Sequence, residues 1–533
     1  MKHMKPMKKM KRLLGVLLAA VMVLAMNITA FAADTYTITI KNSNSGHQYE
    51  AYQVFRGELS GNILSNVEWG AGVNDADLLS ALKSDSTIGS SFNACNTAAD
   101  VAKVLEDFTT NSEEIDAFAA VVGKHLSDSA TGTSGTEPID GKYSITGLNA
   151  GYYFVKDKNT VTGNDASTKF ILKLVKDTEV TPKSSVPTVE KKVQEEDYTA
   201  DNTYGNGYND VADWNIGDAV PFKLIGTLPN TYDDYDTYKY VFHDTLSAGL
   251  TYNGDVKVYY ASDKAGTDKQ DITSSFSTTP SGNEITVACE NLKNVAGVTK
   301  DRYIIVEYTA TLNTDAVIGL DGNTNEVYLE FSNDPNAGGE GETGTTTTDK
   351  VIVFTYELDT TKVDGKDNNT KLPNAEFKLR NSEGKWVTVD PAGKVTGWVG
   401  DESDGTTLKS DAQGLFKVIG LDDGTYYLKE TKAPDGYNLL KNEITIVITA
   451  TTSNGQTWDG TASSALTKLE VTAGGESGTG TIGTGIAGIT VENNKGATLP
   501  ETGGIGTTIF YVVGGILVIG AAVLLITRRR MNK

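Results

Sequence analysis

Alternating apolar and polar residues run through most of the chain and predict β-strands. In four clear stretches, β-branched and aromatic side chains recur at every second position and turn residues follow: Thr35–Ile40, Tyr238–Phe242, Tyr303–Thr311 and Glu443–Thr449. Short strands separated by Gly, Asn and Asp turns are typical of antiparallel sandwiches. We therefore expect a mainly β protein with three tandem immunoglobulin-like β-sandwich domains.

One stretch has helical periodicity instead. Between about residues 76 and 126, apolar side chains recur three and four positions apart: Leu78, Leu79, Leu82, Val101, Val104, Leu105 and Phe108. This pattern predicts a helical insertion in the first domain.

The N-terminus has the pattern of a secretory signal peptide. Basic residues up to Arg12 precede an apolar run, Leu13–Met26, and Ala30-Phe31-Ala32 fits a cleavage site. The run is short for a membrane anchor, so we expect residues 1–32 to be removed by cleavage after Ala32.

The C-terminus predicts a membrane span with a motif before it. Thr507–Ile526 has twenty residues without a charge, enough to cross a hydrocarbon core of roughly 30 Å, and Arg528–Arg530 would keep the tail cytoplasmic. The pentapeptide Leu499-Pro500-Glu501-Thr502-Gly503 precedes the span. This arrangement resembles the cell-wall sorting signal of Gram-positive surface proteins, and the resemblance implies that a sortase cleaves between Thr502 and Gly503.

Composition shifts suggest where the domains meet. Pro182–Pro187 has the composition of a short linker, and Asp334–Lys350 is rich in Gly and Thr, as expected for a mobile loop or linker. We expect domains at residues 33–186, 187–350 and 351–497.

Charge and cysteine content exclude several classes of protein. The chain has 533 residues, and residues 33–502 carry 37 basic and 69 acidic side chains, a formal net charge of −32, which disfavours nucleic-acid binding. Cys95 and Cys289 lie far apart in the sequence, which excludes a disulfide scaffold and a cysteine-ligated zinc site.

Neither a GxSxG nor an HExxH motif occurs, so we expect a protein that is not an enzyme and has no cofactor. The acidic loop Asn230–Asp236 could bind calcium, but a solvated turn is the simpler interpretation.

The third domain carries a second motif. Tyr426–Tyr437 has the sequence YYLKETKAPDGY, which resembles the E-box of collagen-adhesin B-type domains in pilins. With the sorting signal, the chain resembles a backbone (shaft) pilin of sortase-assembled Gram-positive pili. The resemblance implies a covalent polymer of this subunit on the cell surface, with pilin-type and housekeeping sortases, accessory pilins and peptidoglycan as partners and a host surface ligand as a further candidate.

The resemblance also implies spontaneous Lys–Asn isopeptide bonds promoted by a buried acid. A lysine amine attacks a carboxamide only when it is neutral, and apolar burial favours the neutral form. Burial also keeps a carboxylic acid protonated, so that it can polarise the amide carbonyl. The participating residues must therefore face the core.

Strand position, the E-box and strand phase each select one candidate in the third domain. Lys362 lies in its opening strand, and Glu430 of the E-box is the candidate acid. Asn493 is in phase with Ile489 and Val491, so we expect Asn493 to face inward rather than Asn494.

The middle domain offers a similar set. Lys191 alternates with Val189 and Val193, which predicts that Lys191 faces inward and Lys192 faces solvent. Asp244 is the candidate acid, with Asp218 as the competing choice. In the predicted last strand Asn325 is in phase with Val327 and Leu329, and Asn323 is the fallback. His243 has the opposite parity, so we expect it to be hydrogen-bonded or exposed rather than catalytic.

The first domain lacks this set. Lys41 is a plausible amine, but no Asn occurs from Lys169 through Val186, and Arg56 cannot supply a nucleophilic amine. We therefore predict no Lys–Asn bond there.

The family's polymerising lysine follows a proline near the end of the first domain. Lys183 after Pro182 matches best, although Thr181 replaces the family's tyrosine and no tryptophan lies nearby. Lys176 and Lys173 are the alternative candidates for the polymerising lysine. Tension along the polymer would then pass from Lys183 to Thr502 through the second and third domains. This would explain why the first domain needs no Lys–Asn bond. The alternative function is a wall-anchored monomeric adhesin or a minor or tip pilin.

Overall fold

The computed structural model describes residues 34–531 except 110–111, 199–201, 454–455, 457 and 497–504. The predicted signal peptide and the pentapeptide at 499–503 lie outside the described residues. The chain divides into two compact units. One ends at Thr355 and includes Thr451–Thr467, and the other comprises Tyr356–Ala450 and the residues from Lys468 onward.

The described residues of the first domain form eight strands: β1 (Tyr36–Lys41), β2 (Tyr49–Ser60), β3 (Ile63–Trp69), β4 (Gly132–Thr133), β5 (Lys142–Leu148), β6 (Gly151–Asp157), β7 (Lys169–Leu174) and β8 (Thr178–Val180). One sheet has the order β5-β1-β8, and the other has the order β3-β2-β6-β7 with β4 beside β2. Their facing sides share one core, which includes Ile38, Tyr49 and Tyr153.

The helical insertion is confirmed. It contains four helices: α1 (Asp75–Ser84), α2 (Gly89–Phe92), α3 (Ala98–Leu105) and α4 (Glu113–Gly123). A reciprocal capping box between Thr97 and Asp100 starts α3. Leu78, Leu82 and Val101 are buried against β2, and the other predicted apolar residues pack at the edge of the same cluster.

The described residues of the middle domain form fourteen strands: β9 (Val189–Gln194), β10 (Tyr208–Asn209), β11 (Val211–Asp213), β12 (Ala219–Gly226), β13 (Tyr240–Leu246), β14 (Leu250–Tyr252), β15 (Lys257–Ala261), β16 (Gln270–Asp271), β17 (Ser277–Ser281), β18 (Glu284–Cys289), β19 (Tyr303–Leu312), β20 (Asn323–Ser332), β21 (Thr343–Thr345) and β22 (Asp349–Phe354). Short 3-10 helices cover Tyr232–Asp234, Thr273–Ser275, Leu292–Asn294 and Pro335–Ala337.

These strands make two sheets of seven. One follows the order β10-β9-β12-β19-β15-β16 with β14 beside β19, and the other follows β11-β22-β20-β13-β18-β17 with β21 beside β20. The prediction of a linker at Asp334–Lys350 is wrong, because β21 and the start of β22 lie within it and pair with β20. The predicted last strand, β20, is therefore followed by two more, and β22 crosses the expected boundary at residue 350.

The described residues of the third domain form thirteen strands: β23 (Tyr356–Asp364), β24 (Asp367–Lys371), β25 (Glu376–Asn381), β26 (Trp386–Val389), β27 (Val395–Val399), β28 (Leu408–Lys409), β29 (Leu415–Leu421), β30 (Gly424–Lys432), β31 (Ile444–Thr452), β32 (Leu466–Ala473), β33 (Glu476–Ser477), β34 (Thr479–Thr481) and β35 (Ile486–Asn493). One sheet has the order β24-β23-β35-β34 with β29 beside β23. The other has the order β27-β26-β25-β30-β31-β32-β33 with β28 beside β25. A short helix, α5 (Ala462–Ala465), lies between β31 and β32.

The C-terminal helix α6 (Ile505–Met531) contains the predicted span and continues through Arg528–Arg530. Its segment Thr508–Met531 has a mean hydropathy of 2.8 and is long enough to cross a membrane.

Candidate functional site

The middle domain brings its three predicted residues together between its two sheets. Lys191 on β9 contributes an amine from one sheet, and Asp244 on β13 and Asn325 on β20 lie in the other. The Lys191 Nζ donates to the Asp244 carboxylate in a short contact. All three side chains are almost completely buried.

A fourth residue connects them. The Tyr308 hydroxyl donates to the Asp244 Oδ1 at 2.9 Å and accepts from the Asn325 Nδ2 at 2.7 Å. The Lys191 Nζ lies 3.2 Å from the same hydroxyl. Sequence reasoning missed Tyr308, although its phase with Val306 and Ala310 on β19 is the signal that places it inward.

The surroundings of this site favour uncharged groups. Burial lowers the pKa of Lys191 and raises the pKa of Asp244, and the attraction between the two groups opposes both shifts. The rings of Phe222 and Tyr308 each lie 5.6 Å from the Lys191 Nζ, so the amine is surrounded by apolar surface. The Asn325 Oδ1 is buried without a hydrogen-bond partner among the described residues.

The competing candidates have other roles. The Asn323 amide accepts from the Val317 backbone and donates to the carbonyls of Val317 and Val353, so it holds a loop and a strand. Asp218 is half-buried and accepts from Asn215 in a turn. His243 bonds to Glu330 at 2.9 Å.

The prediction of a solvated Lys192 is wrong. Lys192 is buried and pairs with Asp210 at 2.5 Å, and the Tyr204 ring lies 4.4 Å from its Nζ. Strand parity correctly places it on the outer face of its sheet. Tyr204 and Asp210, which lie between β9 and β11, cover that face at Lys192, and the parity of one strand cannot reveal this.

The third domain builds its site differently. Lys362 on β23 and Asn493 on β35 lie in neighbouring parallel strands, with Lys362 paired to Val491, two residues before Asn493. Glu430 comes from β30 in the other sheet. The Asn493 Nδ2 donates to the Glu430 Oε2 at 3.0 Å, and the Lys362 Nζ donates to the Val491 carbonyl at 3.0 Å.

The site in the third domain is also buried away from solvent. Lys362 and Asn493 are fully buried and Glu430 is nearly so, whereas Asn494 is exposed. Burial lowers the pKa of Lys362 to about 8, against the opposing attraction of Glu430. The Asn493 Oδ1 and the Glu430 Oε1 are both buried without a hydrogen-bond partner among the described residues.

The first domain has a different polar core. The side chain of Lys41 is half exposed and pairs with Glu179 at 2.6 Å, and Arg56 is exposed and pairs with Glu68 at 2.8 Å. Neither provides a buried amine. Instead, a fully buried histidine that sequence reasoning did not single out bridges two carboxylates.

That histidine is His47, whose Nδ1 lies 2.8 Å from Asp157 and whose Nε2 lies 3.0 Å from Asp165. Burial alone would lower the pKa of His47, but hydrogen bonds to Asp157 and then Asp165 raise it to about 9. The cluster is therefore a buried, charged network.

The predicted acceptor lysine lies on the segment between β8 and β9. Lys183 is exposed, and its neighbours fix the segment: the Ser184 hydroxyl lies 3.4 Å from the Asp165 Oδ1, and the Ser185 Oγ accepts from the Asn230 backbone at 2.9 Å. Lys173 and Lys176 are also exposed. Thr502 lies outside the described residues.

Three family models match successive parts of the chain. Residues 216–335 match a model described as a Gram-positive pilin backbone subunit 2, Cna-B-like domain. Residues 356–461 match a prealbumin-like fold domain, and residues 491–533 match the LPXTG cell wall anchor motif.

Individual relatives and solved structures are also similar to the chain. The chain is 24% identical over 411 residues to the trypsin-resistant surface T6 protein of Streptococcus pyogenes serotype M6, a match covering 65% of this chain and 70% of the relative. The solved T6 backbone pilin of serotype M6 Streptococcus pyogenes has a TM-score of 0.50 and 17% identity, covering 87% of this chain and 99% of that one. The full-length major pilin SpaD from Corynebacterium diphtheriae has a TM-score of 0.45 and 18% identity, covering 87% and 98%.

The matched models follow one another in the order middle domain, third domain and anchor, and the T6 structure shares the fold. The apolar helix α6, which lies within the matched anchor motif, fits transient membrane anchoring before attachment to the cell wall. The chain therefore carries a Gram-positive pilin backbone domain, a prealbumin-like fold domain and an LPXTG cell wall anchor, which together make it a structural, cell-wall-anchored pilus subunit.

Proposed function

We propose that this subunit forms the shaft of a covalent pilus in which a sortase joins Thr502 of one subunit to Lys183 of the next. Bonds between Lys191 and Asn325 and between Lys362 and Asn493 stabilise the middle and third domains. The observation that carries the proposal is the burial, in each of these domains, of an amine, a carboxyl group and a carboxamide at one site. The role is structural rather than enzymatic.

The two sites meet the chemical requirements for amide formation. Bond formation replaces the Cγ–Nδ2 bond of the asparagine by a Cγ–Nζ bond and releases ammonia. The lysine must lose its charge, which the lowered pKa values of Lys191 and Lys362 favour. Holding the reacting groups together in the fold replaces an encounter and is worth roughly 7–11 kcal/mol of the barrier.

The mass of the exported chain tests the intramolecular bonds. We expect a mass lower than the sequence mass by two ammonia molecules, and proteolytic peptides in which Lys191 is joined to Asn325 and Lys362 to Asn493. Asn325→Ala and Asn493→Ala should each prevent one bond, so that each variant shows the loss of only one ammonia from its sequence mass. A full sequence mass would refute both bonds, and a third ammonia loss would refute the assignment of the first domain as unlinked.

Polymerisation is tested in cells that carry the cognate sortase. The wild-type chain should form a ladder of SDS-resistant oligomers, because each linkage is an amide. Lys183→Ala should abolish the ladder, whereas Lys176→Ala and Lys173→Ala, which change other exposed lysines, should leave it intact. A single wall-anchored band in the wild type would favour the adhesin alternative, and a ladder that persists in Lys183→Ala would move the acceptor to another lysine.

A further inference from the structure

One hydroxyl in the middle domain touches every reacting group. The buried Tyr308 oxygen lies 2.9 Å from the Asp244 Oδ1, 2.7 Å from the Asn325 Nδ2 and 3.2 Å from the Lys191 Nζ. Within the described part of the chain, the Asn325 Nδ2 has no other hydrogen-bond partner than this hydroxyl. The nitrogen that must leave is therefore connected to the acid only through Tyr308.

The third domain provides a contrast within the same chain. There the Glu430 Oε2 accepts directly from the Asn493 Nδ2 at 3.0 Å. A single carboxyl group therefore lies against the departing nitrogen, and none of the hydrogen bonds described for that nitrogen involves a hydroxyl. The two domains arrange the same reaction with different proton paths.

The reaction requires a proton to cross the site. The attacking Lys191 nitrogen loses one proton as the new bond forms, and the departing Asn325 nitrogen must gain one to leave as ammonia. Asp244 contacts the first nitrogen through Oδ2, and it contacts Tyr308 through Oδ1. Tyr308 then contacts the second nitrogen, which completes the path.

We propose that Tyr308 is a catalytic residue of the Lys191–Asn325 bond, whose hydroxyl passes a proton from Asp244 to the departing nitrogen of Asn325. Asp244 takes a proton from the Lys191 Nζ at Oδ2 and releases one at Oδ1 to the tyrosine oxygen. The tyrosine hydroxyl donates to Oδ1 before the reaction, so it turns as it accepts this proton, and its own proton moves to Nδ2 as the Cγ–Nδ2 bond breaks. Asp244 and Tyr308 each end the reaction with as many protons as they had at the start.

The surroundings keep the tyrosine in the form that this role needs. Burial, and after it the charge of Asp244, raise the pKa of Tyr308 far above its ordinary value. The hydroxyl therefore stays protonated. This inference rests on the proposed bond in the middle domain and adds a residue to its mechanism.

The test follows ammonia loss in the full chain as it refolds from a denatured state isolated before either bond has formed. Tyr308→Phe removes only the hydroxyl, and it should slow bond formation in the middle domain about a hundredfold. The third domain of the same molecule should react at its wild-type rate. Tyr252→Phe is the matched control, because its ring packs 5.8 Å from that of Tyr308 and its hydroxyl contacts the Val256 backbone.

The outcomes separate this inference from the proposed function. If the wild-type middle domain loses no ammonia, the bond itself is refuted and Tyr308 has no such role. If the wild type and Tyr308→Phe react equally fast, the bond stands and the proton role is overturned.

A second measurement does not depend on the folding of the variant. In deuterated water, the wild-type middle domain should slow more than the third domain, because its path moves one more proton. An equal isotope effect in the two domains would overturn the proposal.

Discussion

Asn325 lies opposite Val351 in the antiparallel pair formed by β20 and β22. The proposed bond therefore joins Lys191 to β20, and β21 and β22 follow β20 along the chain. Residues 326–355 lie outside the loop that this bond closes. Backbone pairing holds β22 to β20 and, in parallel, to β11. Load entering at Lys183 would bypass residues 192–324 but would pass through this later segment.

Pulling the subunit between its two proposed attachment points should therefore give a limited extension. Residues 326–355 are held by hydrogen bonds and packing rather than by a bond, and their release would add roughly 100 Å of chain. Single-molecule force spectroscopy measures this step. Asn325→Ala should give a much longer step, since residues 192–355 then unfold together. A wild-type chain that breaks its attachments without any such step would contradict the prediction.

Removing the proposed bond between Lys191 and Asn325 should destabilise the middle domain. The bond closes a loop from residue 191 to residue 325, and by analogy with disulfides a loop of that size contributes about 5 kcal/mol through the unfolded state. Asn325→Ala should lower the free energy of unfolding by about that amount in urea titrations and restore one ammonia to the mass.

The control for that experiment is Asn323→Ala on the same strand. This change should cost about 1–3 kcal/mol from its buried hydrogen bonds, with no change in mass. An Asn325→Ala variant no less stable than the wild type would show that the cross-link does not stabilise the domain.

The sequence predicts these sites well where one strand's phase decides the matter. Lys191 and Asn493 each alternate with apolar neighbours, and each is fully buried, as is Lys362, which its place in the opening strand selected. The phase of a strand indicates a face, but it does not indicate what covers that face. This is why Lys192, which contacts Tyr204 and Asp210, is buried rather than solvated.

Partners brought together by tertiary structure are harder to predict. Tyr308 reaches the site across the sandwich from β19, and no spacing along the chain relates it to Asp244 or Asn325. The strand β22 was missed for a different reason: the Gly- and Thr-rich stretch before it has the composition of a linker, although pairing with β20 orders β21 and β22. In this second case, long-range pairing prevailed over local composition.

Bond formation in the third domain should depend on pH. The pKa of Lys362 is lowered to about 8 because burial outweighs the attraction of Glu430 and Glu492. Below that value the fraction of neutral amine rises about tenfold per pH unit, and above it the fraction levels off. Ammonia loss from the third domain during refolding should follow the same curve between pH 6 and 9. A rate that is constant across this range would show that deprotonation of Lys362 does not limit the reaction.

The stability of the first domain should fall as the pH rises above neutrality. The folded-state pKa of His47 is about 9, against 6.5 for the unfolded chain. The charged histidine between Asp157 and Asp165 thus contributes its full stability below pH 6.5, and this contribution is lost as the pH approaches 9. The shift corresponds to roughly 3 kcal/mol.

Native-state hydrogen exchange of the β2 and β6 amides in the intact chain measures this loss, with the third-domain amides as the internal reference. His47→Gln should be less stable than the wild type at pH 6, because a neutral amide cannot neutralise two buried carboxylates. Its first domain should also lose the pH dependence, since the group that titrates is gone. A wild-type first domain whose protection, corrected for intrinsic exchange, is the same at pH 6 and pH 9 would mean that folding does not raise the pKa of His47.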